Sequence, residues 1–273
     1  MSELFSLGQV LSAFENIKQE KGIEKLLNNV KEKCFGDRLD KNNIEEFKDF
    51  VRDFYSMYYL MKKKFKDEYR DDGVRYFEHL REVVNNVLDL PNPNTQKVLI
   101  AIAHDSIEDT NKTFEGLEED YGYEVALAVQ AISKEPWEEY EDFDIKDENE
   151  RKDQAKKERN KVYFGHLKNF ETFKNHIKNL ALVKGFELDE EKIEEIAKNA
   201  LDVKFADRIH NLSTQWDPND LEQVRKKVDE TKQYFLDIAK ETNIDAYNKM
   251  QSLILTLEIR LINANSNIKK VLQ

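Results

Sequence analysis

Four ionisable side chains, His104, Asp105, Glu108 and Asp109, close an aliphatic run that begins at Val98. Imidazole nitrogens and carboxylate oxygens are the donors from which divalent-metal sites are built, and a carboxylate beside such an ion can take a proton from water. If the run Val98-Leu-Ile-Ala-Ile-Ala-His-Asp-Ser-Ile-Glu-Asp-Thr110 is helical, His104 and Glu108 share a face, as do Asp105 and Asp109. One helix end would then offer an imidazole and three carboxylates to a single point. The plainer reading is a helix reaching solvent, and this segment alone leaves both open.

Two other segments carry residues of the same kinds. In Val203-Lys-Phe-Ala-Asp-Arg-Ile-His-Asn-Leu-Ser-Thr214, a helix would put Asp207, Asn211 and Thr214 on one face beside Val203, Ala206 and Ile209. Polar groups in apolar surroundings need a partner, because burying them unpaired is costly. In Arg70-Asp-Asp-Gly-Val-Arg-Tyr-Phe-Glu-His79, the histidine falls on an apolar stripe with Tyr76 and Val83. By itself His79 reads as a hydrogen-bonded core histidine. Together with His104-Asp105 and Asp207 it reads as a ligand.

The elements that must position these residues are helices. Eight Gly, four Pro and 36% charged residues in 273 suit helices joined by short connections. Phe47, Phe50, Val51, Phe54, Tyr58 and Met61 recur at helical spacing, an aromatic stripe best read as core. Asp72-Gly73 signals a turn, and a helix is predicted from about Val74 to Leu90. Pro91-Asn-Pro-Asn94 breaks the chain and caps a helix running through Leu99 to Asp105. Short helices are expected from Thr113 and over Tyr123–Ser133, one long helix over 190–216, and two over 220–272. Residues 134–161 are dense in charge, and read as a solvated helix or mobile insertion, with a lid over a site as the alternative. No segment reads as a strand, so the fold class is all-α.

Composition limits the roles open to such a chain. A net charge of −12 argues against binding nucleic-acid backbones, so an anionic substrate would need local Arg, Lys or metal. A single cysteine, Cys34, excludes an intrachain disulfide and fits a reducing compartment. No apolar stretch is long enough to span a membrane, and the first residues lack a basic region followed by a long apolar core; a cytoplasmic protein is expected.

The order His79, His104-Asp105, Asp207 resembles that of the HD superfamily of metal-dependent phosphohydrolases. Its details resemble one branch, the hydrolase domain of RelA/SpoT-type alarmone enzymes and their small stand-alone relatives. Arg70, Gly73, Tyr76 and His79 fit that branch's first motif; His104, Asp105, Glu108, Asp109 and Thr110 fit its His-Asp-x-x-Glu-Asp-Thr; Lys204 through Thr214 fit its Lys-x-Ala-Asp-Arg-x-His-Asn-x-x-Thr. The likeness covers roughly 66–216. It implies an HD-domain helical bundle with additional N- and C-terminal helices: an extension over 1–65, a core over 66–219 with the charged insertion at 134–161, and C-terminal helices over 220–273 packing on the core.

The resemblance also implies roles. His79, His104, Asp105 and Asp207 would ligate a metal, usually manganese, with Fe²⁺ or Zn²⁺ also compatible with a mixed nitrogen–oxygen shell. Four protein ligands on an octahedral ion leave room for water and a phosphate oxygen. Glu108 and Asp109 would hold the attacking water and exchange protons with it. Arg70, Lys204, Asn211 and Thr214 would contact a small nucleotide substrate. The activity implied is removal of the 3′-pyrophosphate of guanosine tetra- and pentaphosphate, giving GDP or GTP and pyrophosphate. Residues 220–273 are too few and too helical for a synthetase domain, so degradation alone is expected. Asp71 stands where the branch often has a base, and an acid there weakens contacts to a polyphosphate. It favours the alternative of another nucleotide: NADPH 2′-phosphate, a 3′-phosphorylated nucleotide or a nucleoside monophosphate.

Overall fold

Leu, Lys, Glu and Ala in quantity, with few helix breakers, produce helices along most of the described residues. The computed structural model describes residues 7–12, 20–36, 39–70, 73–214 and 216–271. Over them run α1 (Leu7–Ser12), α2 (Lys21–Phe35), α3 (Ile44–Lys64), α4 (Tyr76–Leu88), α5 (Thr95–Ala103), α6 (Ser106–Asp109), α7 (Phe114–Tyr121) and α8 (Tyr123–Ile132). After a 3-10 turn at Trp137–Tyr140 come α9 (Glu148–His166), α10 (Phe170–Val183), α11 (Glu190–Thr214), α12 (Leu221–Tyr234), α13 (Leu236–Thr242) and α14 (Ile244–Val271). The described residues form no β-strand, and an isolated antiparallel bridge pairs Tyr69 with Arg75. The all-α class read from the sequence is the class observed.

The chain divides into two compact units, Met1–Val129 and Gln130–Gln273. Both sides of the expected boundary at residue 65 fall in the first unit, and both sides of that at 219 in the second.

In the first unit α5 packs on α3 and α4, and α2 packs on α4. The aromatic stripe of α3 supplies the core as expected: Phe47, Phe54, Tyr58 and Met61 are fully buried, and the Phe50 and Phe54 rings stack at 5.4 Å. Burying each such side chain contributes roughly 1.5–3 kcal/mol. Residues Val98–Ala103 are all buried, so α5 has no solvent face to spare. Its start is fixed twice. Asn94 Oδ1 accepts from the Lys97 amide at 2.8 Å, and the buried Lys97 ammonium donates to the Asn92 carbonyl at 2.9 Å.

In the second unit α11 packs against α10 and α14, and α14 also holds α12 and α13. The charged stretch 134–161 enters a defined helix, α9, whose Arg151 lies over Phe143 and Lys152 over Trp137 of the preceding segment.

Several elements differ from expectation, beginning with the helix expected from about Val74 to Leu90, which runs Tyr76–Leu88. The helix after Pro93 stops at Ala103 rather than Asp105. The long helix ends at Thr214 rather than 216. Residues 220–272 hold three helices, because the chain breaks at Asn243, whose φ of −151° and ψ of 92° are extended. That side chain has a buried use: Asn243 Nδ2 donates to Asp202 Oδ1 at 2.6 Å.

Candidate metal centre

The first unit gathers His79, His104 and Asp105, whose potential ligand atoms all lie within 4.8 Å of one another. His79 comes from α4, placed on its buried face by the stripe with Val83 and Val87. His104 and Asp105 occupy the step between α5 and α6, at φ, ψ of −58°, −31° and −95°, 3°. The short α6 is closed by Thr110, whose hydroxyl donates to the Ser106 carbonyl at 2.5 Å. Breaking the helix at Asp105 turns its carboxylate back toward the two imidazoles. Asp105 Oδ2 lies 3.1 Å from His104 Nε2 and 3.7 Å from His79 Nε2. Both histidines are almost fully buried, at 3% and 2% exposure.

The tautomer of His104 is set by its surroundings. Its Nδ1 lies 2.8 Å from the Ala101 carbonyl, which can only accept, so Nδ1 carries a proton. In the neutral ring Nε2 then presents a lone pair to a carboxylate oxygen. Two acceptors in that arrangement require a cation between them, a proton or a metal ion. Two imidazole nitrogens and a carboxylate oxygen are a donor set suited to a first-row divalent ion, and the residues present fit one.

Beside the cluster lies a second carboxylate. The Tyr76 hydroxyl is 2.8 Å from Asp105 Oδ2 and 2.9 Å from Asp109 Oδ2. The Asp109 residue is exposed, but its carboxyl end is drawn in against Tyr76. That partial burial, with the charge of Asp105 next and Tyr76 donation opposing, pushes its pKa up to about 6. Burial, with the charges of Asp105 and Asp109 beside it, raises the Tyr76 phenol far above its usual range, so it is a donor at every physiological pH. Glu108 is exposed on α6.

The Arg70 amide donates to the Val74 carbonyl at 2.8 Å, and its carbonyl accepts from the Gly73 amide. Gly73 takes φ of +79°, a conformation that suits glycine, while Asp72 of the expected turn lies outside the described residues. Asp71 lies outside the described residues.

The remaining expected residues belong to the second unit, on α11. Asp207 is 6% exposed. Asn211 Nδ2 donates to its Oδ1 at 2.6 Å, and Lys204 Nζ lies 3.5 Å from its Oδ2. The partner that a buried Asp207 requires is thus supplied in part by its own helix. Lys204 also lies over the Tyr163 ring, at 5.6 Å. Thr214 does not join Asp207 and Asn211 by a hydrogen bond; its hydroxyl donates to the His210 carbonyl at 3.0 Å.

Tyr76 is the residue whose place the sequence reading left without a role. The available signal was its spacing: three residues before His79, it shares that residue's face of α4 and can reach whatever His79 reaches.

No protein-family model matches the chain, and no curated protein matches it. Among solved structures it is similar to a metazoan ortholog of SpoT that hydrolyzes ppGpp and plays a role in starvation responses, at a TM-score of 0.46 and 17% identity, over 75% of this chain and 94% of that one. No described helix is long and apolar enough to cross a membrane.

Proposed function

We propose that the chain is a metal-dependent phosphohydrolase of the HD type. The observation that carries this reading is the convergence of buried His79 and His104 with Asp105, whose potential ligand atoms lie within 4.8 Å of one another, close enough to share one ion. Asp207 is proposed as the fourth ligand from its place in the Lys204–Thr214 motif, with Asn211 orienting its carboxylate. A bound divalent ion would acidify water and neutralise charge developing on phosphoryl oxygens.

The chain's own residues do the rest. Asp109, with a pKa of about 6, is an anion at neutral pH and a strong enough base to accept the proton lost by water as it adds to phosphorus. The same proton can then pass to the oxygen that leaves as the phosphorus–oxygen bond breaks. Glu108, exposed one residue earlier, is proposed to hold the water from its other side. Buried aliphatics of α5 behind His104 keep that wall dry, which strengthens each of these electrostatic interactions.

The substrate proposed is guanosine tetra- or pentaphosphate, cut to GDP or GTP and pyrophosphate, because Arg70, the Glu108-Asp109 pair and Lys204, Asn211 and Thr214 fit the alarmone-hydrolase motifs. The second reading, another phosphorylated nucleotide, rests on Asp71 beside Arg70. Manganese is the ion proposed.

One experiment separates these readings. The purified, Mn²⁺-loaded chain is given guanosine tetraphosphate, NADPH and common mononucleotides, beside an Asp207→Ala control. Pyrophosphate released from the tetraphosphate and lost in the control supports the first reading. Turnover of another panel member alone replaces the substrate and keeps the site. A control with wild-type activity and metal content removes Asp207 from it.

A further inference from the structure

The hydroxyl of Tyr76 touches two carboxylates that the proposed function gives different duties, and the phenol has one proton to donate between them. Its partners are Asp105 Oδ2, the oxygen that also faces both imidazoles, and Asp109 Oδ2 on the last residue of α6. The hydroxyl thus spans the two acids. Their backbones are already tied by the Asp109 amide donating to the Asp105 carbonyl at 2.9 Å, so what the phenol adds is control of the side chains.

The phenol itself is held in place. The fully buried Phe65 ring, just past the end of α3, stacks on the Tyr76 ring at 4.6 Å and 22°. The Tyr76 amide donates to the Glu68 carbonyl at 2.9 Å, fixing the first residue of α4 against the turn that follows α3. The far edge of the ring meets His79, with centroids 5.8 Å apart at 75°. A ring fixed by packing and backbone leaves its hydroxyl little freedom, which is the arrangement that orients ligands around an ion.

We propose that Tyr76 is a positioning residue for this centre: its hydroxyl sets the ligand carboxylate of Asp105 and the proton-accepting carboxylate of Asp109 relative to each other. The inference rests on the metal-site reading above, though not on the identity of the substrate. The plainer role is that of a half-buried tyrosine bonding to whichever acceptors lie near, which would matter to stability alone.

Tyr76→Phe separates the two roles, since it removes the hydroxyl and keeps the ring on Phe65. Mn²⁺ affinity is read from the free-ion electron paramagnetic resonance signal, and kcat and KM from the best substrate of the panel. A positioning role predicts Mn²⁺ binding weakened about 10-fold or more, and kcat lowered by a similar factor with KM within about twofold. Combined with Asp109→Asn, the loss in kcat should be much less than the product of the two single losses. Wild-type Mn²⁺ affinity and kcat in Tyr76→Phe, with only the unfolding midpoint lowered, overturn the proposal, as do fully multiplicative losses. If Tyr76→Phe does not fold, Phe65→Leu keeps the hydroxyl but loosens its ring and should shift Mn²⁺ affinity in the same direction; an unchanged affinity there overturns the proposal too. A wild-type chain that takes up no Mn²⁺ removes the metal-site reading and this inference with it. A chain that binds Mn²⁺ but turns over nothing in the panel removes only the substrate reading, because the affinity comparison stands without catalysis.

Discussion

Asp109 and Asp105 are the same residue type four positions apart, yet their surroundings divide them by role. Asp105 is turned onto two buried imidazoles, where an ionised oxygen would complete the proposed cation site. Asp109 reaches the same phenol from the solvent side, and partial burial lifts its pKa to about 6. A base of that strength works above its pKa and fails below it. The rate should therefore fall on the acid side at or below about pH 6, the bound ion pulling the limb lower because positive charge favours the carboxylate. Asp109→Asn should keep its metal, measured by elemental analysis, and lose about a hundredfold or more in kcat. A variant that loses metal and activity together would make Asp109 a ligand instead of a base.

At the scale of elements, the site depends on where α5 stops. The helix is only nine residues long and its apolar run continues to Ala103, so neither its length nor its propensity makes it stable alone. Asn94 starts it, burial on α3 and α4 holds it, and His104 and Asp105 fall where it ends. Asn94→Ala should cost about 1 kcal/mol of stability, read from urea unfolding, while Asn94→Ser should retain most of it. This element also shows what was legible in the sequence. Pro91-Asn-Pro-Asn94 declared the cap, the aromatic period of α3 declared the core it packs on, and the His79, His104 and Asp105 cluster followed from ligand types on an apolar stripe. The break after Ala103 was not legible, because Val98–Asp109 contains neither Gly nor Pro and its pattern suits an unbroken helix equally well. The extra helix α13 was missed for a related reason: Asn243 ends it through a hydrogen bond to Asp202, a residue 41 positions away that no local pattern reveals. Tyr76 as a bridge between two acids was hidden likewise, since its partners lie 29 and 33 positions along the chain.

Over the whole molecule, two linked equilibria should set stability. An ion held by the folded chain and not by the unfolded one stabilises by mass action, so Mn²⁺ at a hundred times its dissociation constant should add about 2.7 kcal/mol and a chelator should remove it. Thermal unfolding with and without chelator measures this, and His104→Ala should abolish the difference. The second equilibrium belongs to the unit Gln130–Gln273, where His166 of α9 and His176 of α10 stack face to face at 3.8 Å and 10°. Burial lowers the pKa of both; for His176 burial and then the neighbouring His166 bring it to about 4, against a hydrogen bond to Ala131 that opposes the shift. The charge of Glu135 opposes the shift at His166. Between about pH 6.5 and 4 the unfolded chain binds a proton at His176 that the folded chain does not, so stability rises with pH through that window. It is fully present above about 6.5 and is lost as the pH falls toward 4, by no more than about 3 kcal/mol. Carboxylates that titrate lower down add their own losses, so the comparison that isolates the pair is His176→Phe, which keeps an aromatic ring in the stack and removes the proton site. Urea unfolding at pH 7, 5.5 and 4.5 should show the wild-type chain losing stability over this interval more steeply than the variant. Parallel curves for the two would mean that the stacked histidines cost nothing to protonate, and that the acid sensitivity of this unit comes from its carboxylates alone.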